Sequence, residues 1–351
     1  MEIVKRKANK LKEAWDSTPA IAIIGCGAIV ESFHLPALSR HTAALERAIL
    51  VDRDVKRAKN LASVYGIAEV ATDYLDVVQR VNGVIVATPH HLHHSIVLDC
   101  IRRGIHVLCE KPLAETAAHV QEIIQEGERS GVTVSVNNTR RLYPASRRVQ
   151  QLIAQGDIGR PISLDFSEGE EYGWPSASGF YFGSRGSAKG VLLDRGAHVL
   201  DLVCWWLGAK PRLISYEDDS FGGSEAVAKL TFEFGDCRGK VHLSWLSKLK
   251  NSFRIQGESG SIEGGIYDWR TLRISSRSGK EEVIRANTEC REISDLSRLL
   301  IDNFLNVITQ GAPPLVSPGD VSDSIALIEE CYARRARFAM PWHDALYRIA
   351  S

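Results

Sequence analysis

From Ala20 to Gly25 the chain reads AIAIIG, an apolar run with no polar position on either side of its alternation. Such a run suits a strand buried on both faces, and strands of that kind occur in parallel sheets covered by helices. Gly25, Cys26, Gly27, Ala28, Ile29 and Val30 follow at once. Two glycines so placed permit a tight turn, and they bring its backbone, with the first helical N–H groups at Ala28 and Ile29, against a pyrophosphate. Val30 stands where a third glycine is usual, a position that serves helix-to-strand packing more than phosphate contact. The next apolar stretch, Ala48 to Asp52, ends on a carboxylate 25 positions beyond Gly27. That is near the spacing at which an acidic side chain meets the ribose hydroxyls of a dinucleotide. Asp52 repels a 2′-phosphate and so favours NAD. Arg53 beside it keeps NADP as the alternative, and a plain helix cap is the other reading of Asp52.

Strand-like and helical stretches then alternate: Gly83 to Ala87, a helix near Leu92 to Arg103, His106 to Cys109, a helix near Glu115 to Arg129, and Val132 to Val136. This is the pattern of a parallel sheet. Pro112 offers no N–H to a sheet ladder, so the strand at His106 stops with Glu110 and Lys111 at its mouth. Ligands of such sheets gather outside the carboxyl ends of the strands. Lys111 is therefore a candidate for chemistry, with a surface lysine in a turn as the other reading. Thr88 and Pro89 close a strand in the same way, ahead of His90, His91, His93 and His94. Helical geometry pairs only His90 with His94, with no acidic or thiol residue beside them, so no metal is expected.

Acidic and basic residues balance at 43 each. That balance gives no electrostatic footprint for nucleic acid or an anionic membrane, and the expected partner is a small molecule. Seven cysteines without CxxC spacing argue against a disulfide framework or a zinc site and fit a reducing, cytoplasmic setting. No apolar run reaches membrane-spanning length. Lys5, Arg6, Lys7, Lys10 and Lys12 mark residues 1–18 as a polar N-terminal arm with no run of signal-peptide length after them.

Residues Gly190 to Leu207 read as one helix that is apolar nearly all the way round and hence buried. Asp194, His198 and Asp201 lie on it at i, i+4 and i+7, within about 40° of one face. Ionisable groups in an apolar helix need partners or a polar cleft, so they form either a structural pair or a proton-handling site. The stretch from Glu168 to Gly190, rich in glycine, serine and aromatics, supplies Tyr172, Trp174 and Tyr181. With Arg141, Arg195 and Asp201 these are candidate walls for a polar, sugar-like ligand, or they pack the loop onto the fold. Alternating runs from Arg212 to Ile274 predict a sheet with one face covered, and Asp295 to Gln310 and Asp320 to Arg335 predict two amphipathic helices.

Taken together, GCGAI at Gly25, ATP at Ala87 followed by His93, CEKPLA at Cys109, RRLYP at Arg140, IGRP at Ile158 and DRGAHVLDLVCWWLG at Asp194 resemble the Gfo/Idh/MocA oxidoreductases. The resemblance implies NAD(P)-dependent hydride transfer at a hydroxyl or carbonyl carbon of a sugar, cyclitol or nucleotide sugar. It implies a triad of Lys111, Asp194 and His198, with His198 as acid/base and Lys111 touching both nicotinamide ribose and substrate. Thr88, Pro89, His93 and Glu110 would border the cofactor, and a homodimer or homotetramer is the family's usual form. A redox-neutral lyase or glycosidase with tightly held NAD, and a non-catalytic dinucleotide-sensing regulator, are the alternatives. The expected fold is α/β: an N-terminal Rossmann parallel sheet over residues 19–139, then an α+β domain with a large mixed or antiparallel sheet over 140–351.

Overall fold

The computed structural model describes residues 18–175, 189–220, 223–286 and 288–339. Tyr181 and nearly all of the N-terminal arm lie outside the described residues. The chain divides into two compact units. One runs to Thr139 and takes in Glu289–Val321, and the other holds Arg140–Thr288 and the chain from Ser322. Residues 289–321, read from the sequence as part of the second domain, thus belong to the first unit.

The first unit is built on six parallel strands: β1 (Ile21–Ile24), β2 (Ala48–Val51), β3 (Glu69–Ala71), β4 (Gly83–Val86), β5 (His106–Glu110) and β6 (Val134–Asn137). Their order is β3-β2-β1-β4-β5-β6. Every residue of β1, β2, β4 and β6 is buried, which is why these strands show no polar alternation. Helix Ser294–Gln310 packs on this sheet. A Cβ on Gly83 would lie 2.5 Å from Ile308 Cδ1 and 3.0 Å from Phe304 Cζ, so only glycine admits the helix so close. Chain direction reverses its spread between β1 and β4, the place where open parallel sheets bind ligands.

The second unit carries a nine-stranded sheet. Its strands are β7 (Pro161–Gly169), β8 (Arg212–Asp218), β9 (Val227–Phe234), β10 (Cys237–Ser244), β11 (Ser252–Gly257), β12 (Gly260–Gly265), β13 (Thr271–Ser276), β14 (Glu281–Arg285) and β15 (Ala336–Arg337). The sheet is mixed: β10 runs parallel to β7 and β15 to β8, and the other pairs are antiparallel. Helices Pro144–Gln155 and Gly196–Leu207 pack together, and Trp206 Nε1 donates to Ser146 O at 3.0 Å. Trp206 meets Phe253 at 4.8 Å between ring centroids, and Phe253 stacks on Phe166 at 5.8 Å, which ties helix to sheet at the core. The segment expected as one helix from Gly190 is two, Val191–Asp194 and Gly196–Leu207, with Arg195 between them in helical conformation.

Candidate active site

Gly25 leaves β1 with φ +95°. A Cβ there would lie 2.5 Å from Ala87 O, so the turn depends on glycine both for its backbone angle and for contact with the chain leaving β4. Around Gly27, by contrast, an added Cβ would meet nothing within 4 Å. Gly27 O accepts from Val30 N and Glu31 N, so a helix begins at once and its first amides at Ala28 and Ile29 have no partner in a preceding turn. That helix widens into a π segment over Val30–His34 before Leu35–Leu38. Val30, where the usual pattern carries a third glycine, opens that segment with its side chain fully buried.

Asp52 follows β2 and fixes the turn: Cys26 N donates to its Oδ2 and Asp54 N to its Oδ1, both at 2.8 Å. Arg57 Nη1 donates to Oδ2 as well, at 3.5 Å. A carboxylate has about four acceptor positions, so about one stays available for a ribose hydroxyl. Helix Val55–Tyr65 is capped by Asp54 rather than Asp52, since Asp54 Oδ1 accepts from Arg57 N. Arg53 is exposed, and Arg57 carries the ion pairs to Asp52 and Asp54. Among the described residues, open space over Gly27, first helix amides with no partner in a preceding turn and a carboxylate with spare acceptor capacity fit a bound dinucleotide. Gly25→Ala is expected to lower stability by about 1–3 kcal/mol as well as weaken NADH binding. Gly27→Ala should weaken NADH binding with the melting temperature unchanged; calorimetric melts and fluorescence titration of both variants test the distinction.

At the mouth of β5 the peptide Lys111–Pro112 is cis, and the residues around it are held from behind. Glu110 is buried; its Oε1 accepts from His34 at 2.8 Å and from Asn137 Nδ2, and its Oε2 accepts from Lys111 N at 3.3 Å. Burial alone would raise this carboxyl, yet the His34 and Asn137 bonds and the Lys111 charge hold it below its ordinary value. His93 is fully buried, with Nδ1 2.8 Å from Pro112 O and Nε2 2.8 Å from Thr88 O. Burial pushes its imidazole below the ordinary histidine range despite those carbonyls. Glu110 and His93, expected beside the cofactor, therefore clamp the turns that carry Thr88, Pro89 and Lys111. Thr88 Oγ1 is buried with no partner among the described residues. Of the other histidines, His90 lies edge-on to His93 at 5.7 Å between ring centroids, and His94 stacks on His119 at 3.8 Å and meets Glu122 at 2.9 Å. No group of three or more side chains placed to hold a metal ion occurs among the described residues.

In the second unit Asp194 closes its short helix and His198 lies in the first turn of the next; both are half-buried. Asp201 shares their face but not their surroundings. Its carboxylate takes a bidentate pair from Arg141, Nε and Nη2 each at 2.8 Å, with the two side chains 2% and 7% exposed. Arg141 also lies over the Trp205 ring at 5.3 Å. Arg141 and Asp201, expected as substrate walls, are instead a buried structural pair. Tyr172 is half-buried with its ring edge-on to Trp245 at 5.0 Å, whereas Trp174 is 45% exposed. Arg195 Nη1 lies 3.3 Å from Tyr267 Oη and 3.6 Å from Glu168, which is buried and held bidentately by Arg140 at 2.6 and 2.7 Å. Sequence reading passed over this Arg140, Glu168 and Tyr267 group. The signal was in β7, where the inward alternation Leu164, Phe166 ends on a carboxylate.

A parallel sheet in this order, with an open glycine turn beside its reversal point, belongs to the dinucleotide-dependent enzymes. Residues 20–138 match the oxidoreductase family with an NAD-binding Rossmann fold, and residues 146–263 match the GFO/IDH/MocA C-terminal domain. The chain belongs to the Gfo/Idh/MocA family and is an NAD(P)-dependent dehydrogenase or reductase. The 1,5-anhydro-D-fructose reductase of Ensifer adhaerens is 28% identical over 251 residues, 69% of this chain and 74% of that protein. The trans-1,2-dihydrobenzene-1,2-diol dehydrogenase of Macaca fuscata fuscata is 28% identical over 218 residues, 60% of this chain and 64% of that one. The chain thus matches over only part of each relative's length. A levoglucosan dehydrogenase solved with NADH and levoglucosan shares the fold, with a TM-score of 0.76 at 18% identity over 90% of this chain and 96% of that one.

Proposed function

We propose that this protein transfers hydride between NAD and a secondary hydroxyl or ketone on a cyclic, polyhydroxylated substrate, with Lys111, His198 and Asp194 as its chemical groups. The nicotinamide supplies the hydride chemistry. The observation that carries the reading is the way Lys111 is presented. The backbone on either side of it is fixed by buried Glu110 and His93, and its side chain sits at the carboxyl end of β5. Lys111 stabilises the oxygen that gains negative charge as the hydroxyl is oxidised. His198 takes the hydroxyl proton and returns it in the reductive direction, since an imidazole exchanges protons near neutral pH. Asp194, four residues before it, orients one of these two groups. The names of the two sequence relatives, an anhydrofructose reductase and a dihydrodiol dehydrogenase, support a ring substrate with neighbouring oxygen functions.

The test is a panel of myo-inositol, D-glucose, 1,5-anhydro-D-fructose, levoglucosan and UDP-glucose, assayed with NAD and NADH by nicotinamide absorbance. Net change in NADH with a panel member is expected; product without net NADH would replace the reading with redox-neutral chemistry. NAD is the preferred cofactor because Asp52 excludes a 2′-phosphate. Asp52→Ser is expected to weaken NAD about 10- to 100-fold, the scale of one charge-assisted hydrogen bond, while NADP use rises relative to NAD. Steady-state KM values for the two cofactors measure it.

A further inference from the structure

Helix Val191–Asp194 ends on Asp194 and leads within four residues to His198, yet its start has no local cap: Gly190 makes no side-chain capping bond. The first amides of a helix need acceptors, and in the protein interior a missing one is costly. They are supplied from 33 to 35 residues away. Glu225 Oε1 accepts from Gly190 N and Leu192 N, each at 3.0 Å, and Glu225 O accepts from Val191 N at 2.9 Å. One residue thus holds three consecutive amides. The fit leaves no slack, since a Cβ on Gly190 would lie 1.9 Å from Glu225 O.

Glu225 is itself wholly buried and held on its far side. Tyr332 Oη donates to Oε1 at 2.8 Å, and Arg335 Nη2 donates to Oε2 at 3.0 Å. Arg335 also meets Asp218, a fully buried carboxylate that accepts from Tyr216 Oη at 2.8 Å. Burial pushes the Glu225 carboxyl up against the bonds that favour its charge. A neutral cap such as serine would serve a helix start at less desolvation cost. What the buried carboxylate adds is a fixed tie from the helix start to β8 and the chain after helix Pro318–Ala333.

We propose that Glu225 is a positioning residue: it sets the axial rotation and register of the segment carrying Asp194 and His198. This rests on the reading that those two groups do the chemistry. A displacement of about 1 Å at reacting groups costs on the order of a hundredfold in rate. Glu225→Gln keeps the shape but loses the charge, and it should lower kcat about tenfold or more, with KM and NADH affinity within about twofold. The probe is whichever of the five panel compounds the full-length, NAD-loaded protein turns over fastest. Amides 190–198 should also exchange faster by hydrogen–deuterium mass spectrometry in the variant. Should Glu225→Gln fail to fold, Tyr332→Phe, which removes one donor and leaves no buried charge alone, is expected to lower kcat about threefold with KM unchanged. Unaltered kcat in a folded variant overturns the proposal, whatever the exchange rates. His198→Asn separates the two readings. If it is inactive while Glu225→Gln is unimpaired, positioning by Glu225 fails and the assigned chemistry stands. If it retains full turnover, the assigned chemistry fails, and this inference with it.

Discussion

Lys111→Ala is expected to lower turnover by about a hundred- to ten-thousandfold, the range for loss of a positioned polar group at the reacting oxygen. NADH affinity should stay within about threefold. Other residues hold the backbone at Lys111: Glu110 accepts from its amide and His93 meets Pro112 O. Alanine therefore removes the ammonium and leaves the strand end in place. Rapid-mixing single-turnover kinetics, with NADH binding followed separately by fluorescence, make the measurement. A turnover within tenfold of wild type would remove Lys111 from the chemistry and leave it as a cofactor contact at most.

Arg141→Met is expected to cost about 3–5 kcal/mol of stability, the usual penalty for leaving one charge of a buried pair without its partner. Asp201 is 2% exposed at its side chain and receives both guanidinium bonds. Without them it must stay charged in the core or take up a proton. The double variant Arg141→Met with Asp201→Leu should recover most of the loss, because an apolar pair of similar volume no longer carries the desolvation penalty. Denaturant melts of the single and double variants decide it. A single variant as stable as wild type would mean that the pair contributes nothing to the fold.

Much of the first unit was legible because its strands are buried on both faces and its turn chemistry is local. AIAIIG, the glycines at 25 and 27 and the carboxylate at 52 all fall within the first 52 residues, so their spacing can be read directly from the chain. The second unit was legible only in part. Its strands from Arg212 to Ile274 showed in their alternation. Central strand β7 did not, because it opens on Pro161 and carries Asp165 and Glu168 among its apolar positions. β3 and β15 have three residues and two, too few for any period to register.

By itself, the sequence determined where the dinucleotide turn lies, that Lys111 follows directly on a strand, and that Asp194, His198 and Asp201 recur at helical spacing. Only tertiary structure decided which charges serve the fold. Asp194, His198 and Asp201 look alike at helical spacing, and it is Arg141, sixty residues before Asp201, that makes one of them structural. The same holds for Glu225, whose hold on Gly190 and Leu192 spans more than thirty residues. Periodicity reports which face a side chain occupies. Its partner on another element is chosen by packing, because a buried charge is stable only where the fold delivers its counterpart.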